Sequence, residues 1–339
     1  MSEAEAVTKP NEPKKHADLW FDDGNIVLVA GDTAFRVYRG VLAKRSEMFH
    51  DLFSLPQPEG GEAMDGCSVL RLQESAADME RFLTVLFDGC KMWKEDKYTS
   101  WPYTHTIIQM SNKYQIDDLR LEAIDRLKER FPGDIDDWDK LYDRDTNILG
   151  KMSDAVSMAN AAVLLELPKI HHRALYECCQ LSTEKLVLGV VNSDDVRESL
   201  SAQDISRCVE ARRTLAKVQR KFLSERTSGT PSSHKDDGKC VSARRKLVEA
   251  AKEVSDDIEY DPLVPDADFE RILEKMCTAC AKFYRRKDTK LRQEILDGLP
   301  LIFGDEDPES AKGSKKKATS DDDSDSDSAA STTSSGSSR

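Results

Sequence analysis

The chain lacks most of the features that would announce chemistry. No glycine-rich phosphate loop and no GxSxG nucleophile turn occurs in its 339 residues, so neither nucleotide-dependent nor hydrolase chemistry is indicated and no enzyme is expected. Apolar stretches are short and interrupted, below the ~18 residues a membrane helix needs. The opening MSEAEAVTKPNEPKK has no apolar segment of the ~7–15 residues found in a secretory leader. A soluble cytoplasmic or nuclear protein is therefore expected, with its eight cysteines as reduced thiols. Aromatic residues (7%) and hydrophobic residues (39%) are scarce while charged ones reach 33%, which implies that part of the chain is not packed. Positive charge is also short: the net charge of -13 excludes a chain built mainly to wrap phosphate backbones, so direct nucleic-acid binding is not expected. No internal repeat is found.

What is present reads as about two domains' worth of chain. Residues 1–16 are polar, contain Pro10 and Pro13, and are expected to form a flexible arm. Ile26–Val29 and Phe35–Val37, separated by Gly31-Asp32, predict a hairpin. Helical spacing follows in Val41, Leu42, Met48, Phe49, Leu52 and Phe53, ended by the Pro56–Gly61 loop. Val69–Leu72 predicts a third strand, and Ser75 with Asp78 resembles a capping box opening a helix over 76–87 that Gly89 stops. Two more helices are predicted at 104–114 and 117–130. Beyond Pro132-Gly133 the pattern is almost purely helical, over 151–165, 168–180, 183–191, 202–225, 241–254 and 266–284. The expected organisation is an arm (1–16), an α+β domain (17–132), a helical extension (133–226), a Gly/Pro/Ser linker (227–239), a helical Cys-containing region (240–303) and a disordered acidic, Ser-rich tail (304–339).

The order of these elements is that of a short sheet packed by helices. Within it FRVYRGVLAKRSEMFHDLF, residues 35–53, is similar to the F-x-x-H-x-x-V/L-L-A-x-R-S-x-x-F-x-x-M-F segment of the BTB/POZ family, with Ser46 and Phe49 in register and Tyr38 in place of the usual His. VLRLQESAADMERFLTVLFDG (69–89) and NKYQIDDLRLEAIDRL (112–127) resemble two further family segments in the same order, and Asp18 matches the common Asp ahead of the first strand. The stretch ADLWFDDGNIVLVAGDTAFRV followed by a helical half with scattered cysteines looks most like the fungal BTB proteins. The resemblance implies a BTB/POZ fold over 18–131 that offers its helical face and sheet edge to other proteins or to a second copy. Tyr38, Phe49, Phe53 and Met64 are the candidate partner-contact residues. Two features common in the family are missing. No apolar segment precedes the domain to be exchanged in a swapped dimer, and in SLPQPEGGEAMDGC neither Glu59 nor Glu62 has a hydrophobic residue two positions earlier, as cullin-binding members do.

Outside this region, Cys277-Thr278-Ala279-Cys280 has the spacing that lets two thiolates reach one tetrahedral zinc, with Cys240, His234 or Cys208 available to complete the set. The alternative is that Cys277 and Cys280 join Ile272, Leu273, Met276 and Phe283 in an apolar core. No other cofactor and no small-molecule substrate is indicated. His171-His172 and Cys178-Cys179 share a predicted helix without an orienting third group, which reads as core. Helix 202–225 is basic and amphipathic, and Lys315–Lys317 and the Ser/Asp run at 320–328 mark the tail as an import and phosphorylation candidate. The leading expectation is a protein-interaction adaptor or scaffold, including substrate adaptors of cullin ubiquitin ligases. The alternative is a nuclear transcription or chromatin regulator whose BTB domain recruits partners and whose zinc site and basic helix face chromatin.

Overall fold

The computed structural model describes residues 12–55, 60–89, 100–143, 154–192, 195–231, 238–253 and 261–304. The predicted arm up to residue 11, residues 232–237 of the linker and the tail from 305 lie outside them.

The chain opens with β1 (Lys14–Trp20), β2 (Ile26–Ala30) and β3 (Thr33–Val37), continues through α1 (Arg39–Arg45) and α2 (Glu47–Ser54), and returns to the sheet as β4 (Ala63–Met64) and β5 (Cys67–Leu72). The strands form one mixed sheet in the order β1-β3-β2-β5-β4. The predicted hairpin is there: β2 and β3 pair antiparallel from Ile26↔Val37 to Ala30↔Thr33, turning on Gly31 and Asp32, where Gly31 takes the left-handed φ of +58° that an L-side chain resists. The expected arm is too long by three residues. Lys14, Lys15 and His16 belong to β1, which runs parallel to β3. Their polarity fits an edge strand, where charged side chains remain in water and discourage pairing with other chains.

Alternation along β2 sorts its side chains onto two faces. Ile26, Leu28 and Ala30 enter the main core, whereas Val27 and Val29 join Ala34 and Cys67 on the opposite face under Trp20, Met64 and Val69. That second cluster is made of sheet residues alone. β1 and the β4–β5 turn lie at opposite edges, yet Lys15 of β1 pairs with Asp65 in that turn and lies 4.8 Å over the Trp20 ring. The Lys15 side chain thus reaches from one edge of the sheet to the other across the face that carries this second cluster.

The main core is closed by α3 (Ala76–Asp88), α4 (Trp101–Lys113) and α5 (Asp117–Arg130). Ser75 caps α3 by accepting the Asp78 amide, as its spacing predicts. Ser46 caps α2 by accepting the Phe49 amide at 3.1 Å and donates to the Tyr114 carbonyl of the α4–α5 turn at 2.6 Å, so one hydroxyl joins two helix pairs. Phe49 stacks on Tyr114 with centroids 4.4 Å apart, and Phe82 stacks on the same ring.

The remainder is α6 (Ile135–Asp143), α7 (Ala155–Leu164), α8 (Pro168–Cys178), α9 (Thr183–Leu188), the β6–β7 ribbon (Val190–Val191 and Arg197–Glu198), α10 (Ala202–Arg226), α11 (Gly238–Glu253), α12 (Ala267–Leu273), α13 (Thr278–Asp297) and α14 (Leu299–Ile302). The helix expected over 183–191 ends at Leu188, because Gly189 at φ +81° turns the chain into β6. One apolar core runs from Leu19 to Phe303 and joins the α+β domain to α7, α8, α10 and α14. At the seam, the Trp101 indole N–H donates to Ser157 at 2.7 Å. The region expected as a unit at 240–303 is divided. Its first part forms a second, small core of α11, α12 and the start of α13, while Ile295, Leu296, Leu299 and Phe303 belong to the main one. Among the described residues no helix is long and apolar enough to cross a membrane.

Two buried arginines tie the two parts together. Arg226 at the end of α10 donates to Asp266 at 2.8 Å and Asp288 at 3.3 Å and lies over the Phe269 ring. Arg292 of α13 grips both oxygens of Asp139 on α6 and the Leu263 carbonyl. The neighbouring Gln293 accepts the Ile135 amide at 2.9 Å and donates to the Gly133 carbonyl at 2.9 Å.

Candidate functional site

The four candidate contact residues of the α+β domain do not form one exposed patch. Phe49 and Phe53 lie at i and i+4 on the inner side of α2, both buried, and Arg39 caps the Phe53 carbonyl and covers its ring. They are core, which corrects the expectation for these two positions. Tyr38 is half-buried, stacked on Phe21 at 5.0 Å, and its hydroxyl donates to Asp23 at 2.5 Å, a bond that raises its pKa above the ordinary tyrosine value. Met64 is half-buried against the second cluster of the sheet. Glu59 lies outside the described residues, and Glu62 is held by Arg71 through two bonds of 2.8 and 2.6 Å, which keep its carboxyl below the usual range.

The outward side of α2 was not singled out by the sequence, and it is the more open surface. Met48 in the first turn of α2 and Leu55 at its C-cap are turned to solvent, while Leu52 between them is partly buried against the main core. Met48 is 38% and Leu55 61% exposed, and Val41 of α1 is 37% exposed. The signal was available in the spacing, since six apolar residues in 41–53 are more than one buried helical stripe uses.

The thiols of Cys240, Cys277 and Cys280 do converge. Their sulfurs all lie within 4.8 Å of one another. Cys240 stands in the first turn of α11, Cys277 occupies the N-cap position of α13, and Cys280 is in the first turn of that helix. The Cys277 amide donates to the Cys240 sulfur at 3.1 Å. Burial, together with the neighbouring Cys277 and Cys240, pushes the Cys280 thiol up to about 12. His234, the fourth expected ligand, lies outside the described residues, and Cys208 sits in the main core away from this group.

The other candidates resolve into packing. Cys178, Cys179 and Cys208 are buried in the main core, where the Cys208 thiol donates to the Leu175 carbonyl and the Cys179 thiol to the Cys208 carbonyl. Burial pushes the Cys178 pKa well up, and hydrogen bonding to Cys208 with burial does the same at Cys179, so neither is an activated nucleophile. His171 faces Asp204 at 3.4 Å and His172 stacks on Phe303. On α10, Arg212 donates to the Cys179 and Leu181 carbonyls and Arg226 is buried, so two of its basic residues serve the interior. The basic groove lies instead along α13, lined by Lys282, Phe283, Arg286, Lys287 and Lys290 with Pro231. The run KFYRRKDTK at 282–290 was the visible signal for it.

Comparison with protein families places this geometry. A model of the BTB/POZ domain matches residues 21–130, from the end of β1 to the end of α5. The chain thus carries a BTB/POZ domain, a module of protein–protein interaction and self-association. Neither the curated proteins nor the solved structures compared contain a significant match to the chain.

Proposed function

We propose that the protein is an adaptor that holds one partner protein on the outer side of α2 in its BTB/POZ domain and presents the helical half to a second. The observation that carries the reading is the exposed apolar group of Met48 and Leu55, at the two ends of α2, with Val41 of α1. A helix whose core contacts are already made by Phe49, Phe53 and Leu52 leaves Met48 and Leu55 as apolar area that another protein would cover. The methionine in this group adapts to partners of different shape. Edge pairing is disfavoured as the docking mode, because Lys14 and Lys15 blunt the β1 edge. Adaptor duty toward a cullin is one form of this role. It would use α2 rather than Glu62, which Arg71 engages. A second reading, a chromatin-associated regulator, is favoured by the basic groove along α13, which suits an acidic or phosphorylated partner segment.

The test is affinity purification of the full chain from its native cells, compared with Met48→Glu/Leu55→Glu, and with Leu121→Glu on the outer face of α5 as a control. Partners lost from the α2 variant and kept by the control support the reading. An unchanged partner set from a folded α2 variant refutes it. Cullin subunits among the lost partners identify the ligase role, and chromatin proteins lost on reversing charges at Lys282, Arg286 and Lys290 identify the second.

A further inference from the structure

Two groups of three cysteines lie in the cores of this protein, all buried except the half-buried Cys277, and they differ in how their sulfurs are used. In the main core the thiols of Cys179 and Cys208 donate to backbone carbonyls, at 3.7 and 3.8 Å, as small apolar residues with a weak S–H do. In the small core the arrangement differs. The sulfur of Cys240 accepts a backbone amide at 3.1 Å, and the sulfurs of Cys240, Cys277 and Cys280 all lie within 4.8 Å of one another. Three sulfurs gathered this closely, one of them accepting an amide, suit the thiolate ligands of one metal ion.

We propose that Cys240, Cys277 and Cys280 bind a zinc ion that fastens the start of α11 to the start of α13. Zinc prefers thiolate ligands in a tetrahedron with Zn–S of ~2.3 Å, which sets the sulfurs ~3.8 Å apart. Separations of up to 4.8 Å need to close by about 1 Å, within reach of cysteine χ1 adjustment and a small helix shift. Binding exchanges three S–H bonds for three Zn–S bonds and releases three protons, leaving a ZnS3 unit of charge -1 and one position for a further donor. A disulfide does not answer the geometry, because three thiols pair to leave one over.

Local structure agrees. Cys277 occupies the N-cap of a 20-residue helix, where Ser, Thr, Asp or Asn would be favoured, and its side chain makes no capping bond. The small core around the site has nine buried residues, Cys240 and Cys280 among them, and a core of that size is the kind that metals commonly reinforce. The site is distinct from the BTB/POZ domain, so its fate is independent of the adaptor reading.

The full chain, expressed with zinc and desalted, is assayed by inductively coupled plasma mass spectrometry, where about one zinc per chain is expected. Cobalt substitution is expected to give the thiolate-to-cobalt charge-transfer band and intense d–d bands of a tetrahedral site. Cys277→Ser keeps a good N-cap at a half-buried position, so it tests binding without emptying the core, and zinc is expected to fall at least tenfold with circular dichroism retained. Cys67→Ser, in the BTB/POZ domain, is expected to keep its zinc. A folded wild-type chain without stoichiometric metal, or with copper or iron in place of zinc, overturns the proposal. So does undiminished zinc in Cys277→Ser.

Discussion

Replacing Arg292 with Met is the most informative single perturbation of the scaffold. The Arg292 side chain is 4% exposed, and it satisfies Asp139 at two points and the buried Leu263 carbonyl while lying 3.7 Å from Asp288. Methionine keeps most of the aliphatic stem, so the loss is polar. Breaking a buried ion pair by removing one partner costs roughly 3–5 kcal/mol. Asp139 is one-third exposed and recovers some hydration, which moves the value to the low end, about 3 kcal/mol. Urea denaturation of the full chain followed by tryptophan fluorescence reads this directly, because Trp138 is buried on α6 next to Asp139. Adding Asp139→Leu is expected to return at least half of the loss, since a well-packed apolar pair often replaces a buried ion pair at little cost. A destabilisation below about 1 kcal/mol, the range of exposed ion pairs, would refute the claim that this pair joins α13 to α6.

Three further outcomes are expected. Ser46→Ala removes both the α2 cap and the bond to the buried Tyr114 carbonyl, and is expected to lower stability by about 2 kcal/mol in the same urea assay. Gly189→Ala is expected to melt the β6–β7 ribbon, detected as faster hydrogen exchange at residues 190–198, because the residue sits at φ +81° and a Cβ there would lie 2.3 Å from the Glu198 carbonyl oxygen. Burial would raise the pKa of Asp266, but the Phe269 amide and the Arg226 guanidinium outweigh it and hold the carboxyl below its ordinary value. Its contribution is therefore present at neutral pH and lost as pH falls through that lowered value, so Asp266→Asn is expected to cost about 1 kcal/mol at pH 7, with the gap to wild type closing in acid.

Local chemistry was legible in the sequence wherever a few consecutive residues decide the structure. Gly31-Asp32 marked the hairpin and Ser75 with Asp78 marked the start of α3, because turns and caps are settled within four residues. The 277–280 spacing likewise marked two of the three gathered thiols, and Cys240 was named with them. What was not legible depends on the neighbours. Periodicity shows that α2 has more apolar residues than one buried stripe uses, but only the position of Tyr114 and Phe82 decides that Phe49 and Phe53 face inward while Met48 and Leu55 face water. β1 was missed because an edge strand of Lys, Lys and His has no apolar alternation to betray it. The burial of Arg226 and Arg292 has no local signal, because their carboxylate partners Asp266 and Asp139 lie 40 and 153 residues away in sequence.

The division of α13 between two cores has a mechanical consequence. Cys280 and Tyr284 seat its first turns in the small core, and Arg292, Gln293, Ile295 and Leu296 seat its last turns against the segment that leaves the BTB/POZ domain. From Cys280 to Arg292 the helix axis advances about 18 Å at 1.5 Å per residue. A rod of that length held at both ends cannot tilt at one without displacing the other. A tilt of α13 at the cysteine end would therefore be felt at residues 133–139, which Arg292 and Gln293 hold at the other.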